Sequence, residues 1–121
     1  MRLLALAATA LTLGLAGAAQ AHPAKCLVEI RRQQPLISGP CTATFEDDGG
    51  FTLTGTGRNG AEINVSISAE GDGTGTGLLN IEAGNNHSYD DLGSLRRRGP
   101  CWGNPNVVVC AARAEPRPEQ P

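Results

Sequence analysis

The sequence predicts an all-β domain, a small antiparallel meander or barrel of about seven strands with one short helical turn and two disulfide-stapled hairpins. Three observations carry this. Short runs of Val, Ile, Thr and Leu are punctuated by Gly, Asp and Asn turns. One apolar face can be followed through five successive strands by parity alone, because alternate strand residues share a side. And the four cysteines, Cys26, Cys41, Cys101 and Cys110, fall where two chain reversals set them opposite each other in pairs.

The first 21 residues, MRLLALAATALTLGLAGAAQA, read as a secretory signal peptide outside the fold. Arg2 gives a positive start, Leu3 to Leu15 an apolar run, and Ala19-Gln20-Ala21 a small-x-small cleavage site. The apolar run is too short for a membrane anchor, and no later segment is apolar enough to span a bilayer. Removing 21 of the 121 residues leaves a single domain over 22–113 and a Pro-rich charged tail, 114–121, expected to be disordered. Without Arg2, nine basic residues face twelve acidic ones, a balance that argues against general nucleic-acid binding. Export places the chain in the periplasm or outside the cell, where an even number of cysteines in a small domain forms disulfides. Zinc is disfavoured, since no C-x-x-C occurs and neither histidine stands at ligand spacing.

The strands follow in order at about 26–31, 36–46, 51–56, 61–69 and 75–83. Cys26, Val28 and Ile30 share one face, and a reversal centred on Gln33-Gln34 sets Cys26 directly opposite Cys41. Ile37, Gly39, Cys41, Ala43 and Phe45 then line the same inner side. A three-residue loop after Glu46, with Gly49 at positive φ, pairs Phe45 with Phe51. The loop Arg58-Asn59-Gly60 pairs Gly55 with Ile63, Leu53 with Val65 and Phe51 with Ile67. A turn centred on Gly73 sets Ile67 against Leu79 and Val65 against Ile81. In the polar stretch that follows, Ser88 and Asp91 make a capping box, and Tyr89, Leu92 and Leu95 would share one side of a short helix. The segment GPCWGNPNVVVCAA folds back about Asn104 to Val107, placing Cys101 opposite Cys110. With four aromatic residues in the whole chain, the core is light and depends on its staples.

Several clusters could carry chemistry. His22, at the expected mature N-terminus, could bind Cu(II) through its amine and imidazole, with His87 the one possible second imidazole. HSYDD gathers an imidazole, a hydroxyl and two carboxylates from His87 to Asp91, but neighbours within five residues rarely converge as a triad does. No G-x-S-x-G elbow is present, and paired cysteines leave no thiol nucleophile. The carboxylates of Glu46-Asp47-Asp48 and Asp90-Asp91 lie in turn sequences, where Asp serves by hydrogen-bonding the backbone. EGDGTGTG lacks the ligand spacing of a calcium loop. Asn64 and Asn86 match the glycosylation sequon, with Asn64 in mid-strand. Arg96, Arg97, Arg98 and Trp102 combine the residue types enriched at binding hot spots. Trp102 reads either as the core's largest side chain, the usual state of a tryptophan, or as an anchor at the mouth of a disulfide-held loop.

Three resemblances follow from these residues. LGSLRRRGPCW…VVVCAA, together with CLVEI and GPCTATF, resembles small uncharacterised periplasmic proteins of proteobacteria. The overall plan resembles the periplasmic lysozyme inhibitors, small disulfide-containing β-barrels that insert a loop into a muramidase, with NHSY (Asn86 to Tyr89) echoing their loop motifs. The start HPAK resembles periplasmic copper-binding proteins whose mature chains begin His-Pro. The sequence therefore points to an exported, non-catalytic binding module, inhibitor-like, without a cofactor. It would engage a protein or anionic surface through Trp102 and Arg96 to Arg98. A copper-binding protein using His22 is the alternative, and a hydrolase a more distant one.

Overall fold

Eight antiparallel strands succeed one another in chain order and close into a barrel. The structure, a computed structural model, describes residues 20–82 and 89–114. The strands are β1 (Ala21–Ile30), β2 (Ile37–Phe45), β3 (Phe51–Thr56), β4 (Glu62–Gly71), β5 (Thr74–Glu82), β6 (Asp90–Arg98), β7 (Cys101–Asn104) and β8 (Val107–Arg113). β8 pairs back onto β1, from Ala24 with Arg113 to Ile30 with Val107, which removes both sheet edges that an open meander would leave. Most of the expected signal peptide (residues 1–19), the residues Asn86, His87 and Ser88, and the tail from residue 115 onward lie outside the described residues.

The alternation read from the sequence becomes an inside and an outside. Val28, Ile37, Leu53, Ile63, Val65, Leu95 and Val109 fill the interior, while Thr42, Thr52, Thr54 and Ser68 on β2 to β4 face out. An apolar inside with a hydroxyl-rich outside is the reverse of the pattern of a membrane-spanning barrel. Trp102 is the largest enclosed side chain, 1 % exposed, and its Nε1–H donates to the Gly49 carbonyl at 3.1 Å. The β2–β3 turn is thereby drawn over the interior at one rim of the barrel. Room for the indole comes from Gly75, where a Cβ would stand 2.8 Å from Trp102 Cζ3. Pairing a glycine with a bulky residue is how a small barrel fills its interior without overlap.

Most registers agree with expectation. Phe45 pairs with Phe51, Gly55 with Ile63, Leu53 with Val65, and Cys101 with Cys110. Gly49 takes a φ of 97° in the three-residue loop. Two hairpins are displaced by two residues. Cys26 stands opposite Gly39, and Cys41 opposite Ala24, so the first disulfide joins diagonal neighbours whose Cα atoms are 5.9 Å apart. The reversal is centred earlier because Arg32, at φ 59°, makes a tight turn closed by Gln33 N–H to the Ile30 carbonyl. Likewise Val65 pairs with Leu79 and Ile63 with Ile81, because Asp72-Gly73, both at positive φ, form a two-residue hairpin turn. A bulge at Glu70 accompanies it.

The expected helical turn is replaced by strand. Asp90–Arg98 forms β6, and among the described residues there is no helix. Leu92 is the extra residue of a bulge, since Gly77 pairs with Gly93 but Leu78 with Asp91. The bulge shifts the parity, so Leu92 and Leu95 both pack on the core although they are three residues apart. An i, i+3 spacing that looks helical is here the mark of an interrupted strand. Tyr89 does not share that side and is 59 % exposed.

Candidate functional site

The four residues proposed at the basic loop separate into different environments. β6 alternates, so Arg96 and Arg98 project outward together, while Arg97 lies on the inner parity beyond Leu95. At the rim, Arg97 lies against Gly49, its Nε donates to the Gly99 carbonyl at 3.1 Å, and its backbone N–H bonds the Gly73 carbonyl. It is thus tied into three turns. Trp102 is enclosed, so its indole cannot serve as an exposed anchor. The expectation of partner contact through that side chain is corrected by its burial and its bond to Gly49.

What remains outside is a groove. It has a volume of about 380 Å³ and is lined by Arg96, Arg98, Cys101, Gly103, Pro105 and Val108, with Trp102 and Asn104 also bordering it. Gly103 forms its floor because it faces out without a side chain, and a Cβ there would stand 2.9 Å from the Val107 carbonyl oxygen. The depression continues across β5, past Ser94 and Thr74 to Glu70. β7 is only four residues long, and Asn104 ends it with four hydrogen bonds. Its Nδ2 donates to the carbonyls of Leu92 and Ser94, both at 3.0 Å. Its Oδ1 accepts from Asn106 N–H at 2.7 Å and Val107 N–H at 3.1 Å. The side chain thus continues the β6 ladder where the β7 backbone stops, and fixes the lower wall of the groove.

The sequence named Arg96, Arg98 and Trp102, which border the groove, but missed Gly103, Asn104, Pro105 and Val108 as site residues. Parity counted outward from Cys101 would have found Gly103 on the same face. The closing turn at Pro105-Asn106 was expected from the fold-back about Asn104 to Val107, but its place beside a groove was not.

The other expected sites are dispersed. His22 lies in β1 opposite Ala43, and its Nδ1 stands 3.2 Å from an Arg113 guanidinium nitrogen. That places a cation against the ring nitrogen nearest the backbone. His87, its expected companion, lies outside the described residues, among which no group of three or more His, Cys, Asp or Glu side chains could hold a metal ion. Asp48 accepts from Gly50 N–H at 3.0 Å and Asp91 from Gly93 N–H at 2.8 Å, so each carboxylate braces its own bend. Thr74 Oγ1 donates to the Gly71 carbonyl in the Gly/Asp-rich turn, and Asn64 Oδ1 accepts from Thr54 Oγ1 in mid-sheet. Both cysteine pairs are bonded as the hairpins imply, Cys26 to Cys41 and Cys101 to Cys110, and no cysteine is free.

No family model, curated protein or solved structure matches this chain.

Proposed function

We propose that this is an exported, disulfide-stabilised binding module whose β6–β7–β8 face takes an extended acidic segment of a partner protein. The observation that carries the reading is the placing of Arg96 and Arg98 on one outward face, above a groove floored by Gly103. Residues i and i+2 of a strand lie about 6.6–6.8 Å apart. An extended partner with carboxylates at alternate positions has the same spacing, so two charge pairs form without bending either chain. The barrel wall holds both arginine backbones fixed, which limits the ordering cost of binding. The interior is occupied by the chain's own side chains, so recognition is an outside affair. A module of this kind acts by covering a partner's surface, as an inhibitor does, rather than by transforming a substrate. The leader-like N-terminus and the two formed bridges support an exported protein.

The test is calorimetric titration of the purified protein with a capped Asp-Thr-Asp-Thr-Asp peptide and its Asn-Thr-Asn-Thr-Asn counterpart. Binding of the acidic peptide should weaken as salt rises. Arg96→Ala with Arg98→Ala should weaken it by about tenfold or more, equivalent to about 1.4 kcal/mol. Arg97→Ala should leave affinity in place and lower the melting temperature instead. Equal binding of both peptides, or an unaffected Arg96/Arg98 double variant, refutes the reading.

A further inference from the structure

The two disulfides stand on opposite sides of the barrel wall. Cys26 and Cys41 belong to the inner row, with Cys26 only 5 % exposed beside Ala24 and Val28. Cys101 and Cys110 alternate with Trp102, Val109 and Ala111, all buried, so both residues face outward and are half-buried, whereas Cys41, also half-buried, is packed against the core. Across the sheet their row reads Arg98, Cys101, Cys110, Leu27. The row on one side reads Arg96, Gly103, Val108, Glu29, and on the other Lys25 pairs with Ala112. Three cations and one carboxylate therefore surround this bridge. Cys101 also forms part of the groove wall, where Gly103 leaves the approach from β6 open.

We propose that Cys101–Cys110 is a site of thiol–disulfide exchange in the folded protein, entered through the groove by an anionic thiolate, and that Cys26–Cys41 is not. Exchange proceeds by attack of a thiolate on one sulfur through a mixed disulfide, so access decides which bridge reacts. Of the two bridged cysteines, Cys101 is the one that lines the groove. The donor's thiolate bonds Cys101 Sγ as the Cys101–Cys110 bond breaks, and the electron pair leaves on Cys110 Sγ, which takes a proton from water. A second donor thiolate then displaces Cys101 from the mixed disulfide, and Cys101 is protonated in turn. Two donor thiols become one disulfide, and their two electrons reduce the bridge. Arg96 and Arg98 attract the incoming negative charge, and an electropositive, partly exposed surround is what marks reactive cysteines. The inference is independent of what the groove binds, since it needs only the bridge, the opening and the charges.

The experiment treats the native protein with graded reduced glutathione, quenches with N-ethylmaleimide and maps both adducts by peptide mass spectrometry. Glutathione should appear on Cys101 and maleimide on Cys110 at about tenfold lower glutathione than any label on Cys26 or Cys41, with the far-UV spectrum unchanged. Joint opening of both bridges, earlier opening of Cys26–Cys41, or a glutathione adduct on Cys110 overturns the proposal. Arg96→Gln with Arg98→Gln should slow glutathione by about threefold or more relative to cysteamine, whose ammonium offsets its thiolate charge. Arg96→Lys with Arg98→Lys should keep the wild-type ratio. An unchanged ratio in the glutamine variant removes the arginines from the mechanism.

Discussion

Trp102 Nε1–H and the Gly49 carbonyl meet across 53 residues of chain, and that single bond pins a turn over the open end of the interior. Replacing Trp102 by Phe keeps most of the apolar volume and deletes the donor, which should cost about 1–3 kcal/mol by leaving a part-buried carbonyl unpaired. Gly75→Ala should cost about as much for a different reason, since its Cβ enters space held by the indole and the Ser68 backbone. Thermal melts of the two variants check both expectations. As the only tryptophan, Trp102 also reports directly on its own site: its emission should be blue-shifted and shielded from iodide, and should move to the red on unfolding. The sequence left two readings of this residue, a core side chain by its type or an exposed anchor by its loop, and the indole is enclosed. Its partner was not legible, because nothing local marks Gly49 as the acceptor rather than any other exposed turn carbonyl, and the same holds for the clearance at Gly75.

At the level of elements, Asn104 joins β6, β7 and β8 by side-chain bonds where backbone pairing has ended. Asn104→Ala removes all four bonds and should destabilise the protein by about 2 kcal/mol or more. Hydrogen exchange should localise the damage, with the Asn106 and Val107 amides losing protection first. The inner and outer faces of β1 to β5 were readable because side-chain direction has period two, and both register errors were of two residues. An even slip keeps every side chain on its own face, so the core list survives while the cross-strand partners change. The sources of those slips, Arg32 at positive φ and the Asp72-Gly73 turn with its bulge, are choices among turn geometries that several short polar sequences permit. β6 was misread for a sharper reason: its bulge converts period two into a three-residue step, the same spacing a helix gives. Of the groove, the charged wall was legible and the floor was not, because a glycine on the outer face announces itself only once the register is known.

Over the whole molecule, one bridge closes the first hairpin from within and the other clips the last hairpin from outside, at sequence separations of 15 and 9 residues. Each restricts the unfolded chain by a short loop and should contribute about 2–4 kcal/mol. For the inner bridge, Cys26→Ser with Cys41→Ser should therefore lower the melting temperature by about 10 °C or more in a domain of this size. The outer-bridge variant Cys101→Ser with Cys110→Ser should retain the barrel spectrum, because β7 keeps its ladders to both neighbours. Scanning calorimetry of the two variants separates the roles.

The pairing of β8 with β1 extends to Ala114 N–H, which donates to the Pro23 carbonyl at 3.1 Å, so the first and last strands come away from the barrel side by side. Whatever is spliced to either end hangs from that one pole, and the opposite pole, with the Arg58-Asn59-Gly60 bend, stays unencumbered. A short glycine-serine splice between the two ends, with new ends cut at that bend, should give a reordered chain that still folds.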